Sequence, residues 1–301
     1  MNAGEGRSLA AIAEAVVDGW VAEGFARLAP WDGELTARAL SPPAFFALAR
    51  GEPVRWVMHH VVRQPGEARY GRSPVRVLRS SQVRVLERPA SADLFARFRQ
   101  SFERPDLGLA GRELRWRECE WRVRDLGVEG AGWMLLMDGL LVARFLELSR
   151  VGSAALAEPA CEITYGIERL GLIASEERSL ERLEWAPGRP YLALRRREEE
   201  ELSRHLLEAL EDADCMARLE AEMDAASRAL DLDLALPAYE AILRGNQQAE
   251  VLRARGAFRS LREARAGERL TELATRCRVL VAAPDCAASQ PREAPPEPER
   301  G

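Results

Sequence analysis

The sequence predicts an α+β chain, with an antiparallel sheet and flanking helices over residues 1–190 and an all-helical region over 191–283. Three observations predict it. Two β-rich runs, Val54 to Val62 and Val77 to Leu86, bracket a polar loop with Pro65, Gly66, Gly71 and Pro74, the pattern of a strand, a long loop and a returning strand. Asp138-Gly139 sits between apolar runs within Gly132 to Phe145, as a tight hairpin turn of primed type requires. From about Glu198, apolar residues recur at Leu202, Leu206, Leu210, Met216 and Leu219, a helical rhythm.

The remaining elements follow in order. Ile12, Val16 and Trp20 mark a helix behind a Ser8 cap, stopped at Gly24. Residues 41–53 hold Pro42, Pro43 and Pro53, which predicts irregular chain or one short helix. Residues 94–104 read as an amphipathic helix and Leu114 to Val123 as an alternating strand. Glu162 to Tyr165 reads as a short strand with a helix, Gly166 to Ala174, immediately behind it. One long helix is expected over Glu198 to Leu230, then two more over Pro237 to Arg253 and Leu261 to Val281. Residues 284–301 carry five prolines among mostly polar residues, the composition of a disordered tail.

Composition excludes several chemistries. No apolar run approaches the roughly 20 residues of a membrane span, and the N-terminus lacks the basic-then-apolar pattern of a secretory signal. A cytoplasmic protein is the default expectation. The five cysteines form no CxxC pair and there are only three histidines, which argues against a zinc site, a disulfide framework and a Ser/His/Asp triad. The 43 basic residues, set against 48 acidic ones, are all arginine. That excludes a P-loop lysine or a lysine nucleophile, and the net charge of −5 gives no global bias toward nucleic acid.

Two segments could carry chemistry. The loop after the first strand bears Arg63, Arg69, Arg72, Arg76 and Arg79, and guanidinium groups on a rigid strand pair can grip phosphate oxygens. Arginine is common throughout, so a hydrated surface loop remains the alternative. In the second segment, strand alternation puts Glu162 and Thr164 on one face and Ile163 and Tyr165 on the other, and Gly166 would allow close packing at the junction with the helix. Glu168 and Arg169 fall in the first helical turn, where a carboxylate is favoured and a cation is not. Arg169 therefore calls for a partner, either an anionic ligand over the sheet or an internal ion pair with Glu162.

Taken together, Arg63-x-Pro65, Arg69-Tyr70-Gly71-x-x-Pro74-x-Arg76, Gly130-x-Gly132-Trp133, Asp138-Gly139, Glu162 to Leu170 and Leu236-Pro237-Ala238-Tyr239-Glu240 resemble the α subunit of bacterial tetrameric glycyl-tRNA synthetase. The resemblance covers most of the chain and implies a class II aminoacyl-tRNA synthetase core followed by a helical domain. It implies a glycine–tRNA ligase that makes glycyl-adenylate from glycine and ATP with Mg2+ associated with the substrate. The partners implied are tRNA(Gly), a β subunit and a second α subunit, in an α2β2 assembly. It places Arg63 on the ATP α-phosphate, Arg169 on the γ-phosphate, Arg76 in support, and Glu162 and Thr164 in the amino-acid pocket.

The chain departs from that pattern at named places. Leu35 to Pro42 replaces a glycine-rich loop with a pocket threonine, Val83 replaces an adenine-stacking phenylalanine, and the strand from Leu140 to Leu146 lacks the usual glutamate. The alternative these departures leave is an impaired or repurposed copy of the subunit, structural or regulatory, or adenylating another small substrate.

Overall fold

The computed structural model describes residues 8–258 and 261–283. The first helix, α1 (Leu9–Ala22), begins where Ser8 Oγ accepts the Ala11 N–H at 3.3 Å. A three-residue strand, β1 (Ala26–Leu28), follows and runs parallel to β2 (Val54–Arg63) at the sheet edge. It is too short for alternation to announce. The proline-rich segment forms one short helix, α2 (Pro42–Arg50), with proline in the first turn where its missing N–H costs nothing. Strand β3 (Arg79–Arg88) returns antiparallel to β2.

Helix α3 (Leu94–Gln100) is shorter than expected, because its last turn tightens to 3-10 geometry over Ser101–Glu103. Three long antiparallel strands come next, β4 (Leu114–Val123), β5 (Val128–Met137) and β6 (Leu140–Val151). The β5–β6 turn places both Asp138 and Gly139 at positive φ, 49° and 81°, the signature of the primed turn. Strand β7 (Ala154–Gly166) is much longer than the expected Glu162–Tyr165, since its first half pairs with β6 although it is built largely of alanine, a poor strand former, with Pro159. Helix α4 (Ile167–Ala174) follows at once.

A small hairpin, β8 (Glu184–Ala186) and β9 (Arg189–Pro190), leads into α5 (Tyr191–Arg204). The single long helix expected over 198–230 is in fact two. After α5 the chain makes one π turn over His205–Ala209, extends at Leu210 (φ −85°, ψ 125°) and restarts as α6 (Asp212–Asp231). Asp212 and Asp214 in the first turn of α6 supply the negative charge that a new helix start favours, and Leu206 and Leu210 are both buried by the break. Helices α7 (Ala235–Ala254) and α8 (Leu261–Ala282) complete the chain. The tail expected at 284–301 lies outside the described residues.

The seven main strands form one sheet in the order β1-β2-β3-β7-β6-β5-β4. Residues paired across neighbouring strands share a face, so the registers give its two surfaces. Val57, Val85, Ile163, Phe145 and Trp133 form one row, packed with the apolar faces of α1, α3 and α4. On the other face Leu86, Leu146, Leu148 and Ala160 join α2 and helices α6–α8 in a continuous core. Tyr239 of α7 stacks on Phe45 of α2 at 4.1 Å and donates its hydroxyl to Leu40 O at 3.1 Å. Behind the first face, the fully buried Tyr165 hydroxyl accepts the Trp20 indole N–H at 3.0 Å and meets Ser101 Oγ at 2.8 Å. Tyr165→Phe should lower the unfolding free energy by about 1–3 kcal/mol, since it strands a buried indole donor; denaturant unfolding of the full chain measures this.

Candidate active site

The second face of the sheet is apolar only in part. One residue row beyond Leu86 and Leu146, the registers align Met58, Arg84, Thr164, Arg144, Met134 and Arg117 across six strands. Thr164, Arg144, Met134 and Arg117 of this row, with Ser80 and Gln82, floor a cleft of about 670 Å³. Arg76, Gln64 and Glu67 of the long loop, Arg169 and Glu168 of α4, and Ala37, Arg38 and Trp121 complete its lining.

The sequence-expected residues divide between cleft and periphery. Arg76, Thr164 and Arg169 line the cleft. Arg76 pairs with Glu67 at 3.1 Å. Arg169 donates Nη1 to Leu141 O at 3.0 Å, so its partner within the protein is a backbone carbonyl on β6 and not Glu162. Its guanidinium is pushed down mainly by burial, with Glu67 acting in the opposite sense. Arg63 is outside the cleft lining and holds Glu34 at 2.6 Å. Glu162 lies 3.6 Å from Arg84 Nη1, and both are buried. Of the other loop arginines, Arg69 bonds its neighbour's carbonyl, Arg72 is exposed and Arg79 pairs with Glu198.

Val83 does not face the cleft. It is fully buried in the row of Tyr165, on the side of α1, and the cleft-lining residues of β3 are Ser80 and Gln82. The loss of an adenine-stacking ring expected there is therefore not a loss from the cleft wall. Gly166 does not enforce close packing either, because a Cβ there would meet only Val142 O, at 3.5 Å. The tight glycine of this segment is Gly171, where a Cβ would collide with Leu9 Cδ2 between α4 and α1.

Several shaping residues escaped sequence reasoning. Arg84 donates to Ala37 O at 2.9 Å, to Ala39 O and to Gln82 Oε1, which clamps the segment 36–39 to the sheet. Thr36 Oγ1 donates to Asn246 Oδ1 at 3.0 Å, and Asn246 in turn donates to Asp125, the partner of Arg253. Arg38 and Arg144 both stack on Trp121, at 4.4 and 4.0 Å. Only strand register brings these together, although polar residues on a half-apolar strand were the available signal. No three His, Cys, Asp or Glu side chains gather into a metal site among the described residues.

Glu168 is the unusual acid of the site. Its buried carboxylate accepts the Ser81 N–H at 2.8 Å and the Tyr191 hydroxyl at 2.9 Å. Burial pushes its pKa up from 4.5 to about 7, against the pull of those hydrogen bonds. The folded chain thus holds an extra proton between those values, and this group's contribution to stability falls as pH rises through that window. Glu168→Gln keeps the acceptor oxygen without the charge. It should stabilise the fold by about 1–3 kcal/mol above pH 7, with the gain vanishing below pH 4.5, as read by unfolding at both pH values.

Comparison with known proteins places the chain. The sequence model of the glycyl-tRNA synthetase alpha subunit family matches residues 10–283. A glycine–tRNA ligase alpha subunit from Coprothermobacter proteolyticus is 29% identical over 264 residues, 87% of this chain and 90% of that relative. Among solved structures, pyrrolysyl-tRNA synthetase from Desulfitobacterium hafniense is similar with a TM-score of 0.40 and 11% identity, over 61% of this chain and 76% of that one, too slight a likeness to argue from. The extent of the family match, over nearly all of the sheet and the helices behind it, shows that the chain belongs to the glycyl-tRNA synthetase alpha subunit family.

Proposed function

We propose that the cleft forms glycyl-adenylate from glycine and ATP, and that the chain acts as the α subunit of a glycine–tRNA ligase. The observation that carries this reading is that Arg76, Arg169 and Thr164 line one cleft, in a chain of this family. In the reaction a glycine carboxylate oxygen bonds to the α-phosphorus, the bond to the bridging oxygen breaks, and pyrophosphate leaves with the electron pair. No proton moves. The protein's task is then to orient two anions and to stabilise charge that develops on phosphate oxygens.

The residue roles follow that task. Arg169 takes the γ-phosphate; its carbonyl partner fixes one guanidinium N–H and leaves other donors for the nucleotide. Arg76 supports the phosphates from the loop. Arg63 reaches the α-phosphate by turning away from Glu34, an ion pair half open to water and cheap to break. Thr164 and Glu162 stand on the amino-acid side, with Glu162 shared with Arg84. The carboxylates of the cleft do not fit a resident metal: Glu67 is paired with Arg76, Glu168 is occupied by Ser81 and Tyr191, and Glu118 and Glu120 join no cluster of three metal-ligating side chains among the described residues. Magnesium enters with ATP as part of the substrate, a mode that suits an ion that keeps most of its waters.

In this reading the chain works in the cytoplasm as one of two α subunits in an α2β2 enzyme, with the β chain supplying most tRNA(Gly) contacts. No described helix is long and apolar enough to cross a membrane. ATP–pyrophosphate exchange, run with and without a β chain, should depend on glycine; no exchange in either case would refute the reading. Arg169→Ala should lower exchange by about 100-fold or more, and full retention would remove Arg169 from the role given to it.

A further inference from the structure

Arg144 is the arginine of the cleft that the reaction has not yet used. Its register partner on β7 is Thr164 and on β5 is Met134, so it stands in the middle of the cleft floor. Its neighbours have acceptors: Arg38 donates to Arg122 O, Arg76 to Glu67, Arg84 to Ala37 O and Ala39 O, and Arg169 to Leu141 O. Arg117 is exposed to water. Arg144 has only the Trp121 ring, 4.0 Å away, which offers no acceptor oxygen to its N–H groups. Glu162 attracts it but is outside ion-pair contact with it, while Arg84 and Arg38 repel it. Burial draws its guanidinium down to about 10, which still leaves it cationic at neutral pH.

A largely buried cation with free donors, aimed into a cleft, is complementary to an anion of matching shape, and a planar guanidinium matches a carboxylate through two parallel hydrogen bonds. The phosphate-side groups, Arg76 and Arg169, gather around Glu67, whereas Arg144 packs on Trp121 beside Arg38. We propose that Arg144 binds the carboxylate of the amino-acid substrate beside Thr164 and holds it for attack on the α-phosphorus. The inference rests on the adenylate-forming reading of the cleft, and it gives this chain a carboxylate anchor that the resemblance to its family did not suggest. The Trp121 ring, 4.0 Å from the guanidinium carbon, backs the group that the carboxylate would meet.

The test separates this inference from the reading beneath it. Without nucleotide, the purified chain is titrated with glycine, with acetate and with glycinamide, and separately with ATP. Glycine should bind, acetate should compete with it, and glycinamide should bind at least about 10-fold more weakly. Arg144→Gln should raise the glycine KM in pyrophosphate exchange by about 10- to 100-fold while the ATP KM stays within about twofold. Arg144→Lys should recover part of the loss. Equal binding of glycine and glycinamide, or an unchanged glycine KM in Arg144→Gln, would overturn the proposal even with ATP binding intact. Absence of ATP binding would instead strike the adenylation reading. Should Arg144→Gln fail to fold, the comparison of glycine with glycinamide in the unsubstituted chain still decides.

Discussion

The cleft depends on one buried guanidinium. Arg84 projects from the middle of β3 and spends its donors on backbone carbonyls of the segment 36–39 and on Gln82, with Glu162 balancing its charge. A charge placed in a protein interior is tolerable only when hydrogen-bonded and paired. The segment that satisfies it is thereby held against the sheet. Without that clamp nothing else on β3 would hold Ala37 and Arg38 at the cleft wall. Thr36 extends the same tie to Asn246 and Asp125, so the sheet, the segment and α7 share one polar network beneath the site.

The sheet divides its labour by residue row. Rows of valine, isoleucine and leucine bury both faces near the centre, and the row from Arg84 through Thr164 to Arg144 interrupts the apolar surface on one side only. The interruption is costly in stability and useful in chemistry, since buried polar rows survive where something binds to them. Arginine supplies nearly all of that polarity because the chain has no lysine.

Much of this was legible in the sequence. The Asp138-Gly139 turn, the strand pair around the arginine loop, and the helix behind Glu162 to Tyr165 depend on local chemistry, and local chemistry is what a sequence displays. The alternation of Glu162 and Thr164 against Ile163 and Tyr165 also holds in three dimensions, with Ile163 and Tyr165 in the core of the first face. What could not be read is which residues meet across strands far apart in the chain. Arg144 sits beside Thr164, and Val83 turns its back on the cleft, because of registers set by pairing over tens of residues. The break between α5 and α6 was hidden for a related reason, since the leucine rhythm continues through Leu206 and Leu210 while both leucines are drawn into the core.

Helix α5 touches the site at two separated points. Glu199 accepts the Leu78 and Arg79 N–H groups and Ser203 accepts that of Tyr70, so the helix grips both ends of the arginine loop. At its other end Tyr191 donates to Glu168, the residue beside Arg169. The helix thus links the arginine loop to the start of α4, and ends at the break before α6. The arginine loop and the first turn of α4 are therefore tied to each other through α5, so a change in that one helix reaches both parts of the cleft wall.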